Sequence, residues 1–262
     1  MTGLRALFPA EDFRFRLTLR TGEPGAFFRT QDHSGNLLRE RAHWLAQDPA
    51  KYAALQSEGR AAFDELIQEA PGWGLPAAAD CLQLGRTWEP DVLLLTADAS
   101  GEFRLRGGAL CFPTGWALAE KVGRTLDEIH GVVPGLNPAI GGAIRQFIGR
   151  LRSGTAFHRD NWGIAATGEL NLHPTRRLAP PGLPVRLDRL WLRVEHQALV
   201  ALPRSGGVLF GIRLALHRLD EVAADRDVAV GLRHALLTMP PELAAYKRLA
   251  EIRQPLADRL AG

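Results

Sequence analysis

Two apolar segments near the C-terminal third of the chain, RLDRLWLRVEHQALVAL and GGVLFGIRLALHRL, are separated only by Pro203-Arg204-Ser205-Gly206. A connection that short joins antiparallel neighbours, so the pair reads as a β-hairpin. Successive side chains of a strand point to opposite faces. Arg193, Glu195 and Gln197 therefore share one face of the first strand, and Leu192, Val194 and His196 the other. Arg213 interrupts the apolar run of the second strand. The chain must build a sheet around strands that carry charge on one face.

The other elements extend that sheet. DVLLLTAD at 91–98, the turn ASGE and FRLRGGALCFP at 103–113 predict a second hairpin, closed by Pro113. A helix is expected from about Trp116 to Val122, stopped at Gly123. Thr125-Leu126-Asp127-Glu128 has capping-box spacing and opens a short turn containing Ile129 and His130. Asn137-Pro138 starts a longer helix to about Arg152, whose apolar stripe is Ile140, Ile144, Phe147, Ile148 and Leu151. A fifth strand, outside the hairpins, covers 156–166, and FRFRLTLR near the N-terminus alternates as a strand does. From residue 90 to 217 the order is two strands, helices, three strands. This order predicts an α+β fold, with a five-stranded antiparallel, PAS-like sheet and helices on one face. Residues 1–88 read as a mostly helical layer packed on the core, 89–220 as the core, and 221–262 as a C-terminal helical tail.

The 262 residues are 46% hydrophobic and 23% charged, an ordinary globular composition. Lys and Arg total 32 against 29 Asp and Glu, a formal charge of +3. The only lysines are Lys51, Lys121 and Lys247; the remaining cations are arginines scattered among acids and apolar residues. No basic arm for nucleic acid is expected. No apolar run approaches a membrane span, and the N-terminus lacks the pattern of a secretory leader. With Cys81 and Cys111 alone, no disulfide framework is expected, and the cytoplasm is the expected location. Homo-oligomerisation is left open.

Walker A, G-x-G-x-x-G, G-x-S-x-G and HExxH patterns are all absent. Redox chemistry by this chain would draw electrons from elsewhere. Its eight histidines are scattered, unlike a zinc site, but haem iron needs as little as one protein imidazole. His130, between Ile129 and the stiff Gly131-Val132-Val133-Pro134 segment, is the best single candidate. The spacing leaves open whether it binds a metal or simply caps a helix C-terminus. Arg193, Glu195, Gln197 and Arg213 could bind propionates, orient a substrate or relay protons; ordinary cross-strand ion pairing is the other reading. Asn161-Trp162, with His158 and Arg159 nearby, could line a pocket or form a capped aromatic core. Cys111 ranks below His130 as an iron ligand.

The segment LCFPTGWALAEKVGRTLDEIHGVVPGLN at 110–137 resembles the haem-dependent oxidative N-demethylase alpha-subunit family. The matching residues are Cys111-Phe112-Pro113, Trp116, Leu118, Glu120-Lys121, Gly123-Arg124, Ile129-His130 and Val133-Pro134-Gly135. LRVEHQALVALPRSGGVLFGIR at 192–213 is similar to a second family pattern, with His196 standing where the family usually has Arg. Asn161-Trp162 falls where the family has an Asn-Trp pair.

The resemblance implies a PAS-like core holding haem b, with His130 as the axial iron ligand. It further implies cofactor-binding roles for Arg124, Asn161, Trp162 and Gln197, and catalytic roles for Glu195, Arg193 and Arg213. The implied reaction is oxidation of a small secondary methylamine by dioxygen to an amine and formaldehyde. Electrons would come from partner reductase subunits carrying flavin and iron–sulfur centres. A haem-PAS gas or redox sensor and a non-catalytic ligand-binding module are the alternatives.

Overall fold

The computed structural model describes residues 2–151 and 154–261. Its centre is one antiparallel sheet of seven strands: β1 (Arg20–Gly22), β2 (Ala53–Leu55), β3 (Asp91–Ala97), β4 (Phe103–Ala109), β5 (Ala156–Ala165), β6 (Trp191–Leu202) and β7 (Gly207–Arg218). Their spatial order is β1-β5-β6-β7-β3-β4-β2. The hairpin β6–β7 pairs Trp191 with Arg218 through to Leu202 with Gly207. Its loop is held from outside by Glu65, whose carboxylate accepts from the Arg204 and Ser205 amides at 3.0 and 2.7 Å.

The α+β class is as expected, but the five-stranded, PAS-like sheet with helices on one face is corrected. The five predicted strands lie side by side, and three-residue strands extend both edges. Such short segments carry too little alternation to be read from sequence. β4 admits close neighbours on both sides because Gly107 and Gly108 sit at φ 147° and 140°, where a Cβ would meet the backbone of Ala54 in β2 at 2.2 Å and of Val92 in β3 at 2.0 Å. FRFRLTLR is not a strand except at its last residue, Arg20, which opens β1. Its Phe13 and Phe15 pack on the C-terminal core and its Leu17 on the cluster beneath the helical cover.

Helices cover both faces of the sheet. On one, Phe63, Leu66, Leu84 and Trp88 of the N-terminal segments pack against Val92, Leu94, Ala198, Val200 and Leu209. Farther along that face the C-terminal helices Arg226–Thr238, Pro241–Tyr246 and Arg253–Arg259 bury Trp162, Ile164, Leu192 and Val194. The other face, bearing Leu93, Leu95, Leu105, Leu199 and Ile212, meets Ile129, Ile140, Ile144 and Ile148. Those four residues come from the helix Leu126–Gly131, a π-turn at Asn137–Gly141 and the helix Gly142–Ile148. Asn137 opens the π-turn rather than capping a helix, and the expected terminus at Arg152 lies outside the described residues. No helix among the described residues is long and apolar enough to cross a membrane.

A buried ion pair joins the layers. Arg41, fully buried, donates to Asp91 Oδ1 at 2.7 Å and to the Gly85 carbonyl at 2.7 Å. Asp91, 2% exposed, also accepts from the amides of Cys111 and Phe112 at 2.6 and 3.0 Å. Removing one partner of such a pair strands the other charge. Asp91→Ala is expected to lower stability by about 3–5 kcal/mol in urea titration, the range for breaking a buried pair.

Candidate functional site

The helical cover does not close down on the sheet. Between them lies a cavity of about 990 Å³, within the size range of small-molecule and cofactor sites. Its floor divides by strand register. Arg159 faces Gln197, Asn161 faces Glu195, and Gly163 faces Arg193, so β5 and β6 supply a polar stripe. Leu199, Phe210, Ile212, Leu93 and Leu95 continue the same face as an apolar half. Ile129, His130, Val133, Leu136, Ile144 and Phe147 form the roof. The 114–121 segment, the loop Leu172–Pro181 and the turn Tyr246–Arg248 complete the wall.

His130 sits in the last turn of Leu126–Gly131. The predicted capping box is formed: the Glu128 amide donates to Thr125 Oγ1 at 3.1 Å, and the Thr125 amide to Glu128 Oε2 at 2.7 Å. Asn137 Nδ2 donates to the Asp127 carbonyl at 2.8 Å and ties the π-turn to this helix. Burial pushes the pKa of His130 down, the nearby Arg159 adds to that, and Asp127 opposes it. The ring is therefore neutral at pH 7, the state in which imidazole binds a metal. Its Nδ1 is buried without a hydrogen-bond partner.

Glu195 Oε2 accepts from Gln197 Nε2 at 2.9 Å and from Asn161 Nδ2 at 3.2 Å, which fixes the carboxyl and leaves Oε1 for other partners. Arg193 is buried and, among the described residues, donates to neutral acceptors only: the Glu169 and Leu170 carbonyls at 2.7 and 2.8 Å, and Thr114 Oγ1 at 3.4 Å. Burial pushes its pKa down to about 10, so it stays charged at neutral pH. Its Nε, the Arg159 Nε and the His173 Nε2 are also buried without partners among the described residues. Six cations line the cavity (Lys121, Arg159, Arg177, Arg193, Lys247 and Arg248) against two carboxylates, Glu120 and Glu195.

The fold brings His130, Arg193, Glu195, Gln197 and Asn161 to this cavity. Trp162 borders it too, but its ring belongs to the core on the other face, edge-on to Phe8 at 5.1 Å. Two expected residues lie elsewhere. Arg213 is the cross-strand partner of His196 and so shares the opposite face. There it pairs with Glu89 at 2.7 Å and donates to the carbonyls of Phe27 and Phe28. Arg124 is exposed and outside the lining; Gly123 at φ 85° turns the chain there. Cys111 is buried outside the cavity, which removes it as a ligand to a group bound there, and burial pushes its thiol up to about 12.

Sequence reasoning missed several lining residues. Arg159 is not among them: the sequence groups it with Asn161-Trp162 as a candidate pocket cluster, and it lies two residues before Asn161 on one strand face. Lys247 offered one signal: it is one of three lysines among many arginines. Its Nζ donates to the Trp162 carbonyl at 2.7 Å, on the stretch of β5 beyond its pairing with β1, and lies 5.2 Å from the Trp162 ring centre. Among the described residues no three His, Cys, Asp or Glu side chains gather as a metal cage. A metal here would need a prosthetic group to complete its coordination.

Residues 72–257 match the sequence model of a family described as haem-dependent oxidative N-demethylase, alpha subunit-like. The match covers more than two-thirds of the 262 residues. The chain belongs to that family.

Burial pushes the Lys247 pKa down to about 8 from the ordinary 10.5, partly opposed by Glu195. Between those values the unfolded chain binds more protons than the folded one, so stability rises with pH in that window. Relative to Lys247→Met, the wild type should gain thermal stability as pH is raised from 7 to 10.

Proposed function

We propose that this chain, as a member of that family, binds haem b in the cavity, where His130 would hold the iron, and oxidatively removes a methyl group from a secondary amine. The observation that carries the proposal is a neutral, partly unpartnered imidazole in a cavity whose opposite floor is half apolar and half polar, with Arg159 and Arg193 on the polar half. Haem has the same division: an apolar macrocycle and two anionic propionates. Arg159 and Arg193, each with a buried Nε lacking an acceptor, are the residues suited to the propionates. Asn161 and Gln197 act through Glu195. Arg213 and Arg124, expected to contribute, are left out of this assignment because of where they lie.

Bound haem iron supplies dioxygen activation and oxidation of the N-methyl carbon. The chain's own groups bind and orient. Glu195, fixed by Asn161 and Gln197 through one oxygen, offers the other to a substrate N–H. The apolar floor at Leu199, Phe210 and Ile212 excludes water from the methyl group's surroundings. Secondary amine, dioxygen, two electrons and two protons give primary amine, formaldehyde and water. Those electrons require a donor. The family's alpha-subunit description supports the existence of partner subunits; on this reading they deliver the electrons through flavin and iron–sulfur centres.

An absorption spectrum of the purified chain with added haem tests the reading. A Soret band is expected, lost or shifted in His130→Ala. A chain that refuses haem would sink the proposal. With haem, an electron donor and dioxygen, amine-dependent formaldehyde release separates an enzyme from a haem sensor. Glu195→Gln should raise the KM for the amine about 10- to 100-fold, the weight of a hydrogen bond to a charged group.

A further inference from the structure

The mouth of the cavity holds two features the haem reading does not use. Among the described residues, Arg177 and Arg248 are the non-glycine positions with left-handed backbone, at φ 51° and 59°. Both line the cavity. Side-chain-bearing residues avoid this region, and those held in it concentrate at ligand clamps and active sites. Arg177 closes the short turn Pro174–Arg176, its amide donating to the Pro174 carbonyl at 3.1 Å. Arg248 ends the helix Pro241–Tyr246, where its amide donates to Ala245 and the Leu249 amide to Ala244, at 2.9 and 2.8 Å. That paired closure normally recruits glycine or asparagine.

Neither guanidinium has a hydrogen bond or ion pair among the described residues. The fold therefore presents two exposed guanidiniums without protein partners on the lining of one cavity, on backbone that disfavours arginine. The forked guanidinium matches a carboxylate with two parallel hydrogen bonds, which a lysine cannot do. Inside the same cavity, Glu195 keeps one oxygen free for an ammonium. Cations at the mouth and a carboxylate within complement a zwitterion.

We propose that Arg177 and Arg248 bind the substrate's carboxylate, so that the secondary amine this chain takes is an N-methyl amino acid, its ammonium directed to Glu195. The reaction rests on the haem reading above; the binding of the zwitterion does not. Dimethylamine, which has no anionic group, gives the rim nothing to hold. The propionates of haem are the other source of carboxylate.

Calorimetry with N-methylglycine and with dimethylamine tests the proposal on the purified full-length chain, with haem content read from absorption. Arg177→Asn and Arg248→Asn remove each charge while installing a residue that tolerates the left-handed conformation, so folding is preserved. A thermal midpoint no lower than wild type verifies this. N-methylglycine is expected to bind at least about tenfold tighter than dimethylamine, with each variant losing about tenfold for N-methylglycine alone. Equal or weaker binding of N-methylglycine to the wild type overturns the proposal. So does a preference that survives both substitutions, or variants that lose the Soret band while keeping the preference, since the rim would then serve the cofactor. A chain that refuses haem yet shows the preference, and loses it in the variants, upholds the carboxylate clamp and removes the demethylase reading instead.

Discussion

The pair Arg41–Asp91 is the interaction on which the rest of the architecture depends. Neither charge reaches solvent, so each is tolerable only with the other in place. Arg41 draws the helix Asn36–Gln47 onto the carbonyls of Gly85 and Glu89, which fixes the N-terminal layer against the entry to β3. Asp91 is the first residue of β3 and holds the amides of Cys111 and Phe112, just after β4 ends. The chain is thereby aimed toward Pro113 and Thr114. There the Leu172 amide donates to the Pro113 carbonyl and the Gly115 amide to Leu172, strapping the cavity wall to the loop that carries His173 and Arg177. The Cys-Phe-Pro stretch thus matters through its backbone amides, and its thiol is a filler.

Arg193 and Arg213 show how register decides role. Both interrupt apolar strands of one hairpin, and sequence spacing does not separate them. The pairing of Leu202 with Gly207 across the four-residue loop makes Arg213 the partner of His196, one step out of phase with Arg193. A strand reverses its facing side at every residue, so one step moves a guanidinium through the sheet. Arg213 then neutralises Glu89 beneath the N-terminal layer, while Arg193 stays on the cavity side without a carboxylate. The alternation of Arg193, Glu195 and Gln197 was readable because period two is local. The face of Arg213 was not, because it depends on a register that no single strand contains.

The same distinction divides what the sequence reveals from what it conceals elsewhere. The capping box that seats His130 is a four-residue pattern, and the structure forms it as written. The edge strands β1 and β2 exist only because β5 and β4 offer them partners. Lys247 reaches the site from the C-terminal helices, 85 residues after the carbonyl it binds. The left-handed backbone of Arg177 and Arg248 contradicts local preference, so propensity points away from it. Most of the missed residues enter the cavity from outside the five strands and the helices between them, through chain ends and loops brought in by tertiary contact.

Charge gives these placements a common meaning. Across the whole chain cations exceed acids by three, which as a bulk property says little. The cavity lining alone holds six cations against two carboxylates, an excess larger than that of the entire molecule. The rest of the chain is therefore slightly acidic on balance, and the basic character is concentrated at the cavity, where desolvation makes its more deeply set unpaired cations costly. Arg193 and Lys247 register that cost in their lowered pKa values, and Arg159 shares the direction. A fold keeps such groups together when anionic partners compensate them. Two propionates would offset half of the four-charge excess, and a substrate carboxylate at the rim would offset part of what remains. A neutral ligand or a simple amine would leave the lining as uncompensated as before.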